Sequence, residues 1–211
     1  MAPSGQATRT VGVVDYRAGN ARSVVYAFDR LGIASRLVRT PADAAAVGLL
    51  ALPGVGSAPA TMRSLDEQGL IEPLNMRVRQ AGVPFLGICI GMQLLFERSD
   101  EGNERCLGWL PGTVRRFDAS VRIPQMGWNS VRFTRDHALS RAAPDRTEVY
   151  FVNSYYAVPA RESDVLGVTD YGGAFCSMVA HENVLGVQFH IEKSGPVGLR
   201  LLRAFAAEAS T

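Results

Sequence analysis

The chain has 211 residues, of which 47% are hydrophobic and 20% charged, and its 22 basic and 20 acidic residues leave a formal net charge of +2. This balance argues against a nucleic-acid-binding protein, and the apolar runs are too short for a membrane-spanning helix. We expect one globular domain over residues 1–211. Because the chain opens without a signal-peptide pattern and its three cysteines cannot all pair, we expect free thiols in a cytoplasmic protein.

Strand and helix patterns alternate through the first half of the sequence. Runs of β-branched and apolar residues predict strands at 10–15, at 33–38, at the end of 45–52 and at 83–88. Apolar residues at helical spacing predict helices from Ser23, over 58–80 and over 91–97. This alternation is typical of a parallel, doubly wound sheet, and the wholly apolar run 83–88 is typical of a central strand buried on both faces.

From about residue 107 the strand patterns become short and are separated by Gly, Pro and Asn. They lie at 113–117, 130–133, 148–152, 165–169, 174–179 and 185–189, and a final helix is predicted from Pro196. These strands predict antiparallel additions to the same sheet or a small second sheet. The predicted fold class is therefore α/β, with a doubly wound, mostly parallel sheet, helices on both faces and antiparallel C-terminal strands.

The segment Gly87-Ile-Cys89-Ile-Gly91 has the spacing of a nucleophile elbow, in which a strand turns abruptly into a helix and presents a reactive side chain. Small residues two positions before and after the nucleophile keep such a tight turn free of collisions. A cysteine there lies at a helix N-terminus, where backbone amides favour the thiolate. The alternative is an inert, buried cysteine in a packed strand–helix unit.

A cysteine nucleophile needs a base and a group that orients the base. Of the three histidines, His190 closes an apolar strand and precedes Glu192 by two residues. Side chains two apart on an extended chain point to the same side, so Glu192 is placed to fix the imidazole tautomer and to stabilise the imidazolium. The alternative for His190 taken alone is a hydrogen-bonded histidine at the end of a strand.

Acyl chemistry also needs hydrogen-bond donors for an oxyanion. The segment Pro53-Gly54-Val55-Gly56 follows a predicted strand, and its glycines allow backbone N–H groups to turn toward a bound oxyanion. A plain strand-ending turn is the alternative interpretation.

In this order the three segments resemble the class-I, or triad, glutamine amidotransferases. Other segments resemble one family in that class, the glutaminase subunits of imidazole glycerol phosphate synthase in histidine biosynthesis. These are 15–20, Met-Gly-Trp-Asn at 126–129, Tyr-Phe-Val-Asn-Ser-Tyr-Tyr at 150–156, 170–175 and 186–194. The resemblance runs from about residue 10 to the last helix and implies a flavodoxin-like core.

The resemblance implies a reaction and a partner. Cys89 would attack the side-chain amide of glutamine, with His190 as base and then acid, and Glu192 as the third member of the triad. The ammonia would pass to a (β/α)8-barrel synthase subunit in a heterodimer, which makes imidazole glycerol phosphate and aminoimidazole carboxamide ribotide. Neither a metal nor an organic cofactor is implied.

The same resemblance assigns further residues to three groups. The oxyanion hole would use Gly54, Val55, Gly56 and Ile90; the glutamine pocket would use Gln93, Ser154 and Tyr155; the partner interface would use Trp128 and Lys193.

Four residues depart from the family pattern. Arg17 stands where glycine is usual, Gln125 and Asn153 where histidine is usual, and Ile191 where proline is usual. They leave open a paralogous glutaminase subunit that supplies a related synthase in a sugar or secondary-metabolite pathway. Two further alternatives are a cysteine hydrolase of the α/β-hydrolase type, whose acid would precede its histidine, and a non-catalytic scaffold subunit.

Overall fold

The computed structural model describes residues 10–17 and 20–208. The strands are β1 Val11–Val14, β2 Ser35–Val38, β3 Leu49–Gly54, β4 Phe85–Cys89, β5 Arg98–Ser99, β6 Glu104–Arg105, β7 Gly112–Arg116, β8 Gln125–Phe133, β9 Thr147–Asn153, β10 Tyr155–Pro159, β11 Val165–Asp170, β12 Ala174–His181 and β13 Val184–Val187. The helices are α1 Ala21–Arg30, α2 Pro41–Ala45, α3 Ala58–Glu67, α4 Ile71–Asn75 with a π-helical turn Met76–Gln80, α5 Ile90–Gln93, α6 Ala138–Arg141 and α7 Gly195–Glu208. None of these described helices is long and apolar enough to span a membrane.

The centre of the fold is a parallel sheet with the strand order β2-β1-β3-β4-β13. The row continues with β12, β10 and β7, each antiparallel to the strand before it, and then with β5 and β6. A branch of β11, β8 and β9 is joined to β12, also antiparallel. The predicted fold class is confirmed, and the C-terminal strands are additions to the same sheet. Strand β4 lies inside the parallel part, between β3 and β13.

Helices cover both faces of the parallel strands. On one face α1 and α7 bury Phe28 and Phe205 in the same apolar cluster as Ile88 of β4. On the other face α3 buries Leu65 in the cluster that contains Phe85 of the same strand. Since β4 packs on both sides, its sequence is wholly apolar.

The local predictions failed where a turn interrupts a continuous pattern. The helix predicted over 58–80 is broken, because α3 ends at Glu67 and Gly69 adopts φ +62° before α4 begins. The helix predicted over 91–97 ends at Gln93. Strand β10 was not predicted, since it is short and ends at Pro159, a residue that weakens a strand pattern.

Candidate active site

The nucleophile elbow is formed as the glycine spacing predicts. Cys89 ends β4, and α5 begins at the next residue. A Cβ on Gly87 would lie 2.5 Å from the carbonyl oxygen of Gly91, and a Cβ on Gly91 would lie 1.9 Å from that of Leu52. Neither position therefore has room for a side chain. Cys89 adopts φ +55°, a strained value for a residue with a side chain, and such strain is concentrated at functional sites.

His190 is brought beside Cys89 by the pairing of β13 with β4, in which Val187 lies opposite Ile88. Its Nδ1 lies 2.9 Å from Oε1 of Glu192. The side chains of His190 and Glu192 lie together as predicted, but the prediction assumed an extended chain, and the chain here is not extended. Residues Ile191–Lys193 form a 3-10 turn, and this turn brings the carboxylate back to the imidazole.

The environment of His190 favours its charged form. Burial alone would lower the pKa of the imidazole, but hydrogen bonds to Cys89 and Glu192, together with their negative charges, outweigh it and raise the pKa to about 9. The side chain is therefore placed to hold a proton taken from the sulfur.

Asn20 also binds the carboxylate of Glu192. The Glu192 side chain is 1% exposed, and its Oε1 also accepts a hydrogen bond of 2.6 Å from Nδ2 of Asn20. Asn20 precedes α1, in the connection that follows β1. The sequence pattern marked this connection as a family segment but assigned no role to Asn20.

Cys89 and His190 lie on the wall of one cavity of about 250 Å³. The wall also contains Val55, Gly56, Ile90, Gln93, Glu101, Pro124, Val152, Asn153, Ser154 and Tyr155. The structure thus brings together most of the residues singled out from the sequence. Gly54 does not line the cavity; it pairs with Cys89 across β3 and β4, and a Cβ there would lie 1.8 Å from Cγ2 of Ile90.

The N–H group of Val55 is already engaged. It donates to the hydroxyl of Tyr16 at 3.2 Å, and the same hydroxyl donates to the carbonyl oxygen of Val55 at 3.3 Å. Gly56 follows at φ +109°, a conformation that glycine adopts without strain. Of the four residues expected to form an oxyanion hole, Val55 therefore has its N–H group turned to Tyr16 in this structure.

Glu101 is a cavity residue that the sequence did not reveal. Its Oε2 accepts a hydrogen bond of 2.7 Å from the backbone N–H of Ala58, the first residue of α3. The carboxylate is fixed by this contact at the cavity wall. In the sequence Glu101 lies in a polar, turn-rich stretch, which gives no local indication of a site.

The two predicted interface residues lie outside the cavity. Trp128 on β8 is 57% exposed and contacts the ring of Tyr150 edge-on, with ring centres 5.9 Å apart. The backbone N–H of His190 donates to the carbonyl oxygen of Tyr150, so Tyr150 contacts both Trp128 and His190. Lys193 is exposed and ends the 3-10 turn after His190.

The structure shows the conformation or the burial of each of the four residues that depart from the family pattern. Arg17 adopts φ +69°, which explains why glycine is usual at that position. Gln125 and Asn153 are buried and lie opposite each other in the register of β8 and β9. Ile191 is buried at the start of the 3-10 turn.

Comparison with known proteins agrees with this architecture. The sequence model of the family described as glutamine amidotransferase class-I matches residues 12–209. The chain is 44% identical to imidazole glycerol phosphate synthase subunit HisH of Moorella thermoacetica over 198 residues, covering 93% of this chain and 94% of that protein. It is 46% identical to HisH of Xanthomonas axonopodis pv. citri over 197 residues, covering 92% and 96%. The chain belongs to the class-I glutamine amidotransferase family and, within it, to the HisH subunits.

Solved structures share the fold at lower sequence identity. A crystal structure of a glutamine amidotransferase matches with a TM-score of 0.76 at 24% identity, covering 95% of this chain and 99% of that one. The structure of PurLQS from Thermotoga maritima matches with a TM-score of 0.70 at 17% identity, covering 93% and 96%.

Proposed function

We propose that this chain is the glutaminase subunit of an imidazole glycerol phosphate synthase and releases ammonia from L-glutamine for histidine biosynthesis. The observation that carries the proposal is the convergence of Cys89 and His190 on one cavity, with Glu192 2.9 Å behind the imidazole. Identity of 44% to a HisH subunit over 93% of the chain supports this pathway over a paralogous one.

The proposed chemistry uses the triad twice. The sulfur of Cys89 bonds to the side-chain amide carbon of glutamine, and the thiol proton passes to His190. His190 gives this proton to the leaving nitrogen, so that ammonia departs and a glutamyl thioester remains on Cys89. Water then loses a proton to His190 and attacks the thioester, and the returned proton regenerates the thiol as glutamate leaves. Glu192 orients the imidazole throughout.

Binding of glutamine would use both charged and neutral groups of the cavity. The Glu101 carboxylate is suited to the α-ammonium group of the substrate. Gln93 lines the same cavity, and Oε1 of its amide is buried without a hydrogen-bond partner among the described residues. Ser154 and Tyr155 also line the cavity, and the carbonyl oxygen of Tyr155 accepts a hydrogen bond from Nε2 of Gln93.

The resting chain would be a poor glutaminase, because one donor of the oxyanion hole is engaged elsewhere. Ile90 and Val55 are the proposed donors, and the Val55 N–H group is bound to Tyr16. Turning that group toward Cys89 completes the hole. We assign this change to binding of the synthase subunit, a (β/α)8 barrel, against the face that contains Met126 and Trp128, which are 66% and 57% exposed.

The test is glutamate release by the chain alone, with the synthase subunit, and with the synthase subunit plus an analogue of its ribotide substrate. Activity should rise in that order, by orders of magnitude in total. Absence of glutamate release in all three mixtures, or unchanged release by a Cys89→Ala variant, would contradict the proposal. Equal turnover in the three mixtures would contradict the activation step alone.

A further inference from the structure

Gln188 is a buried amide that lies behind the nucleophile, outside the cavity. It follows β13, one residue beyond the Val187–Ile88 pair, and this places it level with Cys89. Its side chain is fully buried and does not line the cavity, so it does not face bound glutamine. A buried amide is costly unless its polar atoms are hydrogen-bonded, so the identity of its partners matters.

The orientation of this amide is fixed by a chain of contacts that starts at a backbone carbonyl. The carbonyl oxygen of Tyr155 can only accept, so the amide of Gln93 presents Nε2 to it, at 3.0 Å. The same Nε2 donates its other hydrogen to Oε1 of Gln188, also at 3.0 Å. The carbonyl side of the Gln188 amide is thereby held toward Gln93, and its NH₂ group is left to face Cys89.

The Gln188 Nε2 atom lies 3.7 Å from the Cys89 sulfur and donates to it. The carbonyl oxygen of Val152 lies 3.8 Å from the same sulfur, and His190 is hydrogen-bonded to the sulfur as well. That carbonyl can accept from a thiol but repels a thiolate. Once the proton has left, the contact with the N–H of Gln188 strengthens and that with the Val152 carbonyl does not, because hydrogen bonds to charged acceptors are the stronger ones.

We propose that Gln188 donates a hydrogen bond that stabilises the charged sulfur of Cys89, and that Gln93 and the Tyr155 carbonyl fix the direction of that bond. This inference rests on the proposed function, since it assigns a further residue to the same reaction. It also links the nucleophile to the glutamine pocket, because Gln93 belongs to both sets of contacts.

The experiment measures alkylation of Cys89 in the free chain by iodoacetamide, followed by mass spectrometry, at pH 6 and pH 9. Only the thiolate reacts, so at pH 6 the rate depends on the groups that stabilise it. Gln188→Met keeps the length of the side chain and removes the donor. We expect it to react about tenfold more slowly than the parent at pH 6, and within about threefold of it at pH 9, where hydroxide supplies the thiolate.

Ser177→Ala is the matched control. Ser177 is fully buried on β12, its carbonyl oxygen accepts the backbone N–H of Gln188 at 2.9 Å, and its hydroxyl bonds to Thr169 and not to the site. Its alkylation rate should stay within twofold of the parent at both pH values. This variant therefore measures how far a disturbance of the neighbouring core changes the alkylation rate of Cys89 when the Gln188 donor is kept.

Two results would overturn the proposal. One is a Gln188→Met variant that is alkylated at the parental rate at pH 6. The other is a Gln188→Met variant whose alkylation rate falls by the same factor at pH 6 and pH 9, since a deformed site would produce that result. If Gln188→Met does not fold, as judged by its thermal transition, Gln188→Leu removes the same donor with a shorter, branched side chain, and its alkylation rate at pH 6 must fall by as much. Because alkylation needs no glutamine, a chain without glutaminase activity would refute the proposed function and still decide the role of Gln188.

Discussion

The hydroxyl of Tyr16 is hydrogen-bonded to the peptide groups on both sides of Val55, at 3.2 Å from the nitrogen and 3.3 Å from the oxygen. Tyr16 is fully buried, and burial, the largest influence, raises the pKa of its phenol, so the hydroxyl keeps its proton and can make both bonds. The N–H of Val55 cannot turn toward Cys89 until the bond to this hydroxyl breaks.

Tyr16→Phe should therefore raise the activity of the free chain. The substitution removes both bonds of the hydroxyl, but only the one from the Val55 N–H holds that group away from Cys89. Loss of this bond, worth about 1 kcal/mol, corresponds to a rise of roughly fivefold in the population with the proposed oxyanion hole complete. Glutamate release without the synthase subunit is the measurement. Tyr26→Phe is the control, because Tyr26 on α1 is 62% exposed. A folded Tyr16→Phe chain with unchanged or lower basal activity would show that the hydroxyl does not restrain Val55.

A glutamine analogue that alkylates nucleophiles, such as 6-diazo-5-oxonorleucine, should label Cys89 alone. Burial, the main cause, raises the pKa of the Cys106 and Cys176 thiols to about 12. At pH 8 only about 10⁻⁴ of each is then thiolate. Peptide mapping after labelling gives the answer, and modification of either buried cysteine, or labelling that persists in Cys89→Ala, would refute it.

Substitution of His190 should reduce glutamine turnover more than substitution of Glu192. His190→Ala removes the base and should lose nearly all glutamine turnover. Glu192→Gln should retain measurable turnover, because the role proposed for Glu192 is only to orient the imidazole; losses for such groups are on the order of 10² to 10⁴. Steady-state kinetics with the synthase subunit provide the comparison, and Glu182→Gln, whose carboxylate is 70% exposed beside His181, is the control. Full activity in both triad variants would remove the basis for the assignment.

The contribution of His190 to stability should depend on pH. The pKa of its imidazole in the folded chain is raised to about 9, above its usual value of 6.5. Because this pKa is raised on folding, the protonated His190 contributes to the free energy of unfolding fully below about pH 6.5, and the contribution is lost as the pH rises through about 9. The difference in unfolding free energy between the parent and His190→Gln should therefore shrink from pH 6.5 to pH 9.5 in urea titrations. A constant or growing difference would contradict the charged pairing of His190.

The parallel core and the elbow were predictable because their sequence constraints are local. A strand packed on both faces needs a continuous apolar run, as at 83–88, and a tight strand–helix turn needs glycine on both sides of Cys89. Both rules act within a few residues, so the sequence displays them directly.

Other parts of the site depend on contacts between distant segments, which a single sequence does not display. Glu101 enters the cavity because it caps α3, 43 residues earlier in the chain, and Asn20 reaches Glu192 across 172 positions. The helix predicted over 58–80 failed for a local reason, because the positive φ of Gly69 ends the helix while the apolar spacing continues. The proximity of His190 and Glu192 was predicted, but from an extended chain and not from the 3-10 turn that produces it.

The short connection after β1 carries both Tyr16, which binds Val55, and Asn20, which binds Glu192. The proposed restraint of the Val55 N–H group and the support of the Glu192 carboxylate therefore depend on two residues that are four positions apart in the sequence. Random substitutions selected for partner-independent glutaminase activity should therefore replace Tyr16 and spare Asn20, because loss of the Tyr16 hydroxyl frees the Val55 N–H group while Asn20 still holds the Glu192 carboxylate.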